Sequence, residues 1–387
     1  MGVLDKVTII GAGCCKFGEN WNKSSYDMII DATFEALEDA ALELKDIQAV
    51  WVSSQQEMGA TSIVSDALKL HGVPMSRNEN FCASGMDAFR NACFAVAAGM
   101  YDRVLVIGYE KLKDVPTTRG LPAPFTGWGG HPILFDEEHS PPMDFGMLAV
   151  KYFEKYDVDR TPLAKVAVKN HHNGSLTANA HLQREITIRQ VLDAPIVSWP
   201  LGLFDCCGVS DGAAAAIITR KEIAKDFRDD YITVRGIGLS VSAVAPQRRA
   251  GFDFMGFTET EVAAMQAYEQ AGISDPRKEV DCAEVHDCFT ITEIIDYEDL
   301  HFCERGQGWR FIEDGTSNLG GELPVNMDGG LKCFGHPIGA TGLRMIYEIY
   351  KQLQGKCGLR QVKNAEIGLA HTLGGLPRLS CVIILSI

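Results

Sequence analysis

The 387-residue sequence predicts an α/β protein made of two copies of one layered unit, with a loop domain inserted between them. Three observations carry this. Short β-branched runs alternate with helix-period segments up to Ile107. The same alternation restarts after residue 230. Residues 115–200, between the two, lack it.

Val7 to Ile10 reads as a strand ended by Gly11. Ile30, Phe34, Leu37, Ala41 and Leu44 then recur at three- and four-residue intervals, as one face of an amphipathic helix would. A second strand is expected at Ala49 to Val52. Residues 83–99 are rich in alanine and free of proline, which predicts a buried helix, and Val104 to Ile107 predicts a buried strand. The small-residue stretch from Gly208 leads into the last strand of the first half, at Ala214 to Ile218.

In the second half, Tyr231 to Val234 is strand-like, Thr258 and Glu261 form a capping box for a helix through Ala271, and Val280 to Val285 is a strand. A glycine-rich turn, Gly335 to Gly342, opens a helix through Leu353, and Ile367 to Ala370 and Cys381 to Leu385 close the chain as strands. The Pro/Gly cluster Leu121 to Pro132, the Pro141-Pro142 pair and mixed helical stretches mark the insert. The expected boundaries are 1–114 plus 201–229 for the first half, 115–200 for the loop domain and 230–387 for the second half.

Composition narrows the function. Hydrophobic residues at 46% and charged residues at 22% are those of a globular body, not of a disordered or membrane chain. A net charge of -15 with no dense Lys/Arg run argues against nucleic acid as a partner. Met1 to Gly11 carries one lysine and a short apolar stretch, so neither a signal peptide nor a spanning helix is expected, and the cytoplasm is the default compartment. The twelve cysteines are spread through core-like contexts such as Cys93, Cys357 and Cys381, which predicts reduced thiols. Cys14-Cys15 and Cys206-Cys207 lack the spacing of zinc ligands, and the neighbours His171 and His172 would point to different faces of a helix, so no metal is expected.

Three segments carry the chemistry. Cys82, in Asn80-Phe81-Cys82-Ala83-Ser84-Gly85, stands where a turn feeds the 83–99 helix. A thiol there has its thiolate stabilised by exposed amides and the helix dipole, as a nucleophile needs, although a small buried hydrophobe is the other reading. Gly335-His336-Pro337-Ile338-Gly339-Ala340-Thr341-Gly342 puts His336 at the matching helix mouth of the second half, so the repeat makes Cys82 and His336 face each other across a pseudo-twofold. Glu284-Val285-His286-Asp287-Cys288-Phe289 is a strand ending in a polar cluster, and His286 and Cys288, two apart, share a direction on an extended strand end. Gly11-Ala12-Gly13 is only a partial dinucleotide turn, with Lys16 at its third glycine position, so nicotinamide binding is rejected.

These segments, with Ala370-His371-Thr372-Leu373-Gly374-Gly375, make the whole chain resemble the thiolase superfamily, and within it the sterol-carrier-protein-type branch. The resemblance implies the thiolase fold: two duplicated βαβαβαββ halves in a five-layer αβαβα sandwich with an inserted loop domain. It implies cleavage of a 3-oxoacyl-CoA by CoA, or the reverse Claisen condensation, through an acyl-cysteine. Cys82 would be the nucleophile. His336 would activate it and polarise a thioester oxygen, with His286 completing that oxyanion hole. The backbone amides of Cys82 and of a residue near Gly374 would make a second hole. Most thiolases carry the acid/base cysteine in a CxG segment near the carboxyl end, which here reads His371-Thr372-Leu373-Gly374. Cys288 is the implied substitute, a strand-end core cysteine being its other reading, and His371 stays unassigned.

No permanently bound cofactor is implied, CoA being a co-substrate. Arg248 and Arg249 either meet its phosphates or form a solvated face. Phe125, Trp128, Phe135 and Phe145 either line a wide acyl pocket or pack. The chain is also similar to bacterial thiolases that work with a separate zinc-ribbon and OB-fold subunit, including one acting on benzoylsuccinyl-CoA, which implies a homodimer core, that small partner and an aromatic substrate. The alternatives are a ketoacyl-synthase-like condensing enzyme, a retro-aldol acyl-CoA lyase, and a non-catalytic acyl-CoA-binding scaffold subunit.

Overall fold

The computed structural model describes residues 5–114, 117–118, 121–122, 140–243, 250–375 and 377–387. Most of the 121–132 cluster, Phe125, Trp128, Phe135, Arg248 and Arg249 lie outside the described residues.

Nine strands hydrogen-bond in one order, and that order contains the repeat. In chain order they are β1 (Val7–Cys14), β2 (Ala49–Ser53), β3 (Met75–Asn78), β4 (Arg103–Glu110), β5 (Gly212–Arg220), β6 (Ile232–Val241), β7 (Cys282–Glu284), β8 (Ile367–Gly374) and β9 (Leu379–Ser386). Across the sheet they run β7-β8-β9-β6-β1-β5-β4-β2-β3. Starting from β1, the first half reads 1-5-4-2-3. Starting from β6, the second reads the same way with β6, β9, β8 and β7 in the corresponding places. Parallel and antiparallel pairs match too: β2 with β4 and β7 with β8 are parallel, β4 with β5 and β8 with β9 antiparallel. In place of a second β3, a single parallel bridge joins Ala283 to Val325. Among the described residues the half-sheets pair through Thr8↔Thr233 and Ile9↔Ile232.

The longer helices are α1 (Ser25–Asp39), α2 (Ala60–Leu68), α3 (Ser84–Ala97), α4 (Pro141–Tyr156), α5 (Thr161–Ser175), α6 (Thr258–Ala271), α7 (Thr290–Asp299) and α8 (Ile338–Leu353). Equivalent helices α3 and α8 pack on each other and on strands of both halves, while α1 covers the first half-sheet and α6 the second. This is the five-layer arrangement. The central pair approaches closely because both helices carry glycine at the crossing: a Cβ on Gly85 would lie 2.9 Å from Gly339 O, and one on Gly342 would lie 2.7 Å from Met86 N. That approach brings the amino-terminal ends of α3 and α8, and hence Cys82 and His336, to one place.

Several expectations need correction. Strand β1 runs through Gly11 to Cys14, because Ala32 and Ala36 of α1 seat against Gly11 and Gly13. That contact turns α1 so that Met28, Ile29, Ala32, Thr33, Ala36 and Leu37 are buried and Phe34 is exposed, and the helix ends before Ala41 and Leu44. Helix α6 has Phe257, not Thr258, as its cap residue, with no side-chain capping bond. Glu261 pairs instead with Arg305. Strand β7 has three residues where Val280 to Val285 suggested six, since beyond Glu284 the chain bends into the site. Helix α2, which buries Ala60, Val64, Ala67 and Leu68 on one face, was not anticipated, and β3, Met75-Ser76-Arg77-Asn78, is a polar edge strand without an apolar alternation. None of the twelve cysteines is in a disulfide. Among the described residues no helix is long and apolar enough to cross a membrane.

Candidate active site

Cys82 closes a tight turn. Phe81 adopts φ 51°, a left-handed conformation unusual for a bulky residue. Around it the Asn80 amide donates to Ser84 Oγ (2.8 Å), the Ala83 amide to Asn80 O (3.1 Å) and the Ser84 amide to Phe81 O (3.0 Å). The thiol therefore sits just before the Ala83 cap of α3. The expected thiolate is not what this environment favours. Burial pushes the thiol up to about 12, the Cys207 sulfur adds to the shift, and the amides of Gly375 and of Cys82 itself pull the other way without prevailing. The amide facing the sulfur from the last segment belongs to Gly375, one residue beyond Gly374.

His336 stands before Pro337, the cap residue of α8. Its Nδ1 lies 2.7 Å from Thr341 Oγ1, and that hydroxyl donates its only proton to Pro337 O at 3.0 Å. The hydroxyl must therefore accept from Nδ1–H, which leaves Nε2 as a lone pair. Burial, helped by Arg344, lowers His336 to about 3, so the ring is neutral at rest. His286, almost fully buried, meets it edge to face with centroids 5.3 Å apart. Its own basicity is also depressed, first by burial and then by His336. The Cys82 sulfur and one ring nitrogen from each histidine lie within 4.8 Å of one another. A neutral imidazole lone pair beside a thiol can take its proton, and the resulting N–H can then hold a developing oxyanion.

Cys288 lies close enough to this centre for Cys82 and Cys207 to act on its thiol. Its thiol is raised well above the usual range, chiefly by burial, then by Cys207 and Cys82, and its Sγ lies 3.8 Å from Thr292 Oγ1. The Cys207 amide donates to Cys288 O (2.9 Å), and Phe289 stacks on Phe145 at 4.7 Å. Phe145 is thus buried packing behind Cys288. His371 stands outside the 4.8 Å cluster, although its charge also acts on His286. It is fully buried, with Nε2 near Ser380 Oγ (3.1 Å) and Thr260 Oγ1 (3.4 Å) and Nδ1 3.4 Å from Asp296.

Sequence reasoning missed the frame that holds residues 285–288. Asn326 Oδ1 accepts from the Val285 amide (2.8 Å), while its Nδ2 donates to Glu293 (2.8 Å). Asn170 donates to both Asp287 (2.8 Å) and Glu293 (2.7 Å), and Lys169 pairs with Glu293 at 2.7 Å. Asp287 also accepts from the Leu331 amide (2.6 Å). The turn Asn326-Met327-Asp328-Gly329-Gly330 was a visible signal, since Asn326 has φ 56°. Cys207 was also missed as a member of the site, because adjacent cysteines were weighed only as metal ligands.

Residues 7–197 match the family model described as Thiolase, N-terminal domain, and residues 245–387 match Thiolase C-terminal domain-like. The chain belongs to the thiolase family. It is 37% identical, over 98% of its length and 99% of the relative, to an acetyl-CoA acetyltransferase of Methanothermobacter thermautotrophicus. Sterol carrier protein 2 of Homo sapiens is 29% identical over 96% of this chain and 70% of that protein. Among solved structures, the Ltp2-ChsH2(DUF35) aldolase superposes with a TM-score of 0.87 at 23% identity, covering 100% of this chain and 99% of that one. Human mitochondrial 3-ketoacyl-CoA thiolase gives 0.71 at 18% identity, with 99% of each chain covered.

Proposed function

We propose that this chain is a cytoplasmic thiolase that cleaves a 3-oxoacyl-CoA with CoA, or runs the reverse condensation, through an acyl group carried on Cys82. The observation that carries the proposal is the convergence of Cys82, His286 and His336 within 4.8 Å from three separate segments of both halves. Because Cys82 is a thiol at rest and His336 Nε2 is an empty base, the first step is proton transfer from sulfur to that nitrogen. The sulfur attacks the ketone carbon, whose oxygen is held by the amides of Cys82 and Gly375. The bond between the ketone carbon and the α-carbon breaks, and its electrons form the enolate of the departing CoA thioester. The enolate oxygen is held by His336 Nε2–H and His286. Cys288 delivers a proton to the α-carbon. The CoA thiol then gives its proton to the Cys288 sulfur and attacks acyl-Cys82; the bond from the acyl carbon to Cys82 breaks, that sulfur takes back the proton held on His336 Nε2, and the shortened acyl-CoA leaves. No step calls for a metal or an organic cofactor.

The substrate of this reading is a 3-oxoacyl-CoA, benzoylsuccinyl-CoA being the aromatic case. The working form is a homodimer with a small zinc-ribbon and OB-fold subunit; the name of the Ltp2-ChsH2(DUF35) aldolase likewise joins two components. That same likeness favours one second reading, a retro-aldol lyase that needs no acyl acceptor. A screen of 3-oxoacyl-CoA substrates for release of acetyl-CoA, succinyl-CoA and benzoyl-CoA, run with wild type and Cys82→Ser, separates the two. A thiolase loses at least about a thousandfold in turnover with the serine. A lyase keeps its activity.

A further inference from the structure

Ligand spacing along the chain excludes zinc, yet folding assembles a donor set that spacing cannot reveal. One sulfur, from Cys82, and two imidazole nitrogens, from His286 and His336, lie within 4.8 Å of one another. A tetrahedral zinc with nitrogens at about 2.0–2.1 Å and sulfur at about 2.3 Å spaces its donors by roughly 3.3–3.7 Å. The trio must therefore close by at most about 1.1–1.5 Å, which small side-chain torsions supply without leaving their rotamer wells. Thr341 holds the proton of His336 on Nδ1 and leaves Nε2 as a free lone pair, and the buried Nδ1 of His286 has no hydrogen-bond partner among the described residues. The fourth position is left to water or a thiol.

We infer that Cys82, His286 and His336 form a Zn2+ site that reversibly masks the Cys82 sulfur. Binding breaks the S–H bond, forms an S–Zn bond and releases one proton to solvent; nothing is oxidised or reduced. Because one proton leaves, affinity rises about tenfold per pH unit below the thiol's own titration. The site stands on the geometry of the trio, independently of which acyl-CoA reaction the protein performs.

The full-length chain, stripped of metal by chelator, is dialysed against buffered Zn2+, and Co2+ is added in parallel to read thiolate-to-metal charge-transfer absorption. One zinc per chain is expected at this site, weakened about 100-fold or more by Cys82→Ala, beyond the roughly 10–100-fold of a lost outer-shell partner. In wild type, Zn2+ should protect Cys82 from iodoacetamide, mapped by peptide mass spectrometry, and chelator should restore labelling. That second measurement needs no variant. Alkylation of Cys82 at the same rate with and without zinc, or zinc affinity unchanged in Cys82→Ala, overturns the inference.

Discussion

At Cys82 two effects compete, and their sizes decide the resting state. The amides of Gly375 and Cys82 favour a thiolate, but desolvation raises the thiol to about 12, while His336 is lowered to about 3. A preformed thiolate–imidazolium pair is therefore absent, and the sulfur is activated only as it reacts. For a raised thiol, the thiolate fraction grows with pH until the folded value is reached. Alkylation of Cys82 by iodoacetamide should thus accelerate about tenfold per unit across roughly pH 6 to 9. A plateau beginning near pH 5 would instead reveal an ion pair. Cys288 has a separate task at the α-carbon, so Cys288→Ala should still accept an acyl group on Cys82. The variant should abolish exchange of acetyl-CoA methyl protons with deuterated water; wild-type exchange would leave Cys288 as packing. The identity of these residues was legible because each sits in a distinctive local string. Their ionisation was not, since desolvation depends on what covers a side chain and not on its neighbours in the chain.

Between elements, the decisive contact is α3 on α8. Gly85 and Gly342 let two backbones meet where alanine would overlap, and the helix mouths that carry Cys82 and His336 follow from that approach. Gly342→Ala would set its Cβ 2.7 Å from the Met86 amide nitrogen and should cost about 1–3 kcal/mol of stability, read by urea unfolding. It should also lower kcat more than it raises KM, because it separates catalytic groups and leaves the surface that holds CoA in place. Unchanged stability and turnover would show that the crossing has slack. Periodicity located α1, α3, α6 and α8, but it could not show which face of α1 is buried. Ala32 and Ala36 outcompete Phe34 for the inner face because the facing strand carries Gly11 and Gly13. The capping box expected of Thr258 and Glu261 at the start of α6 is also absent, because Arg305 from a distant loop draws Glu261 away.

For the whole molecule, the repeat was the most readable feature, because strand rhythm and helix-opening glycines recur in both halves and the strand order repeats with them. What it could not reveal was the second-half counterpart of β3, reduced to the single bridge at Val325, or the buried frame of Asn170, Lys169, Glu293 and Asn326 behind His286. Those polar residues look like surface in sequence and are interior only once folded. Among the described residues the polar edge strand β3 ends the sheet with unpaired ladder groups, a template for pairing with a second copy. Light scattering should therefore give about twice 42.3 kDa at micromolar protein. A monomer would contradict the dimer. The account as a whole depends on sulfur at position 82 carrying carbon, and one measurement reaches that directly. Wild type and Cys288→Ala are incubated with acetyl-CoA, quenched in acid, and read by intact mass and peptide mapping. The account predicts one acetyl group on Cys82 in both proteins; no adduct, or an adduct carried by Cys207 with Cys82 unmodified, would contradict it.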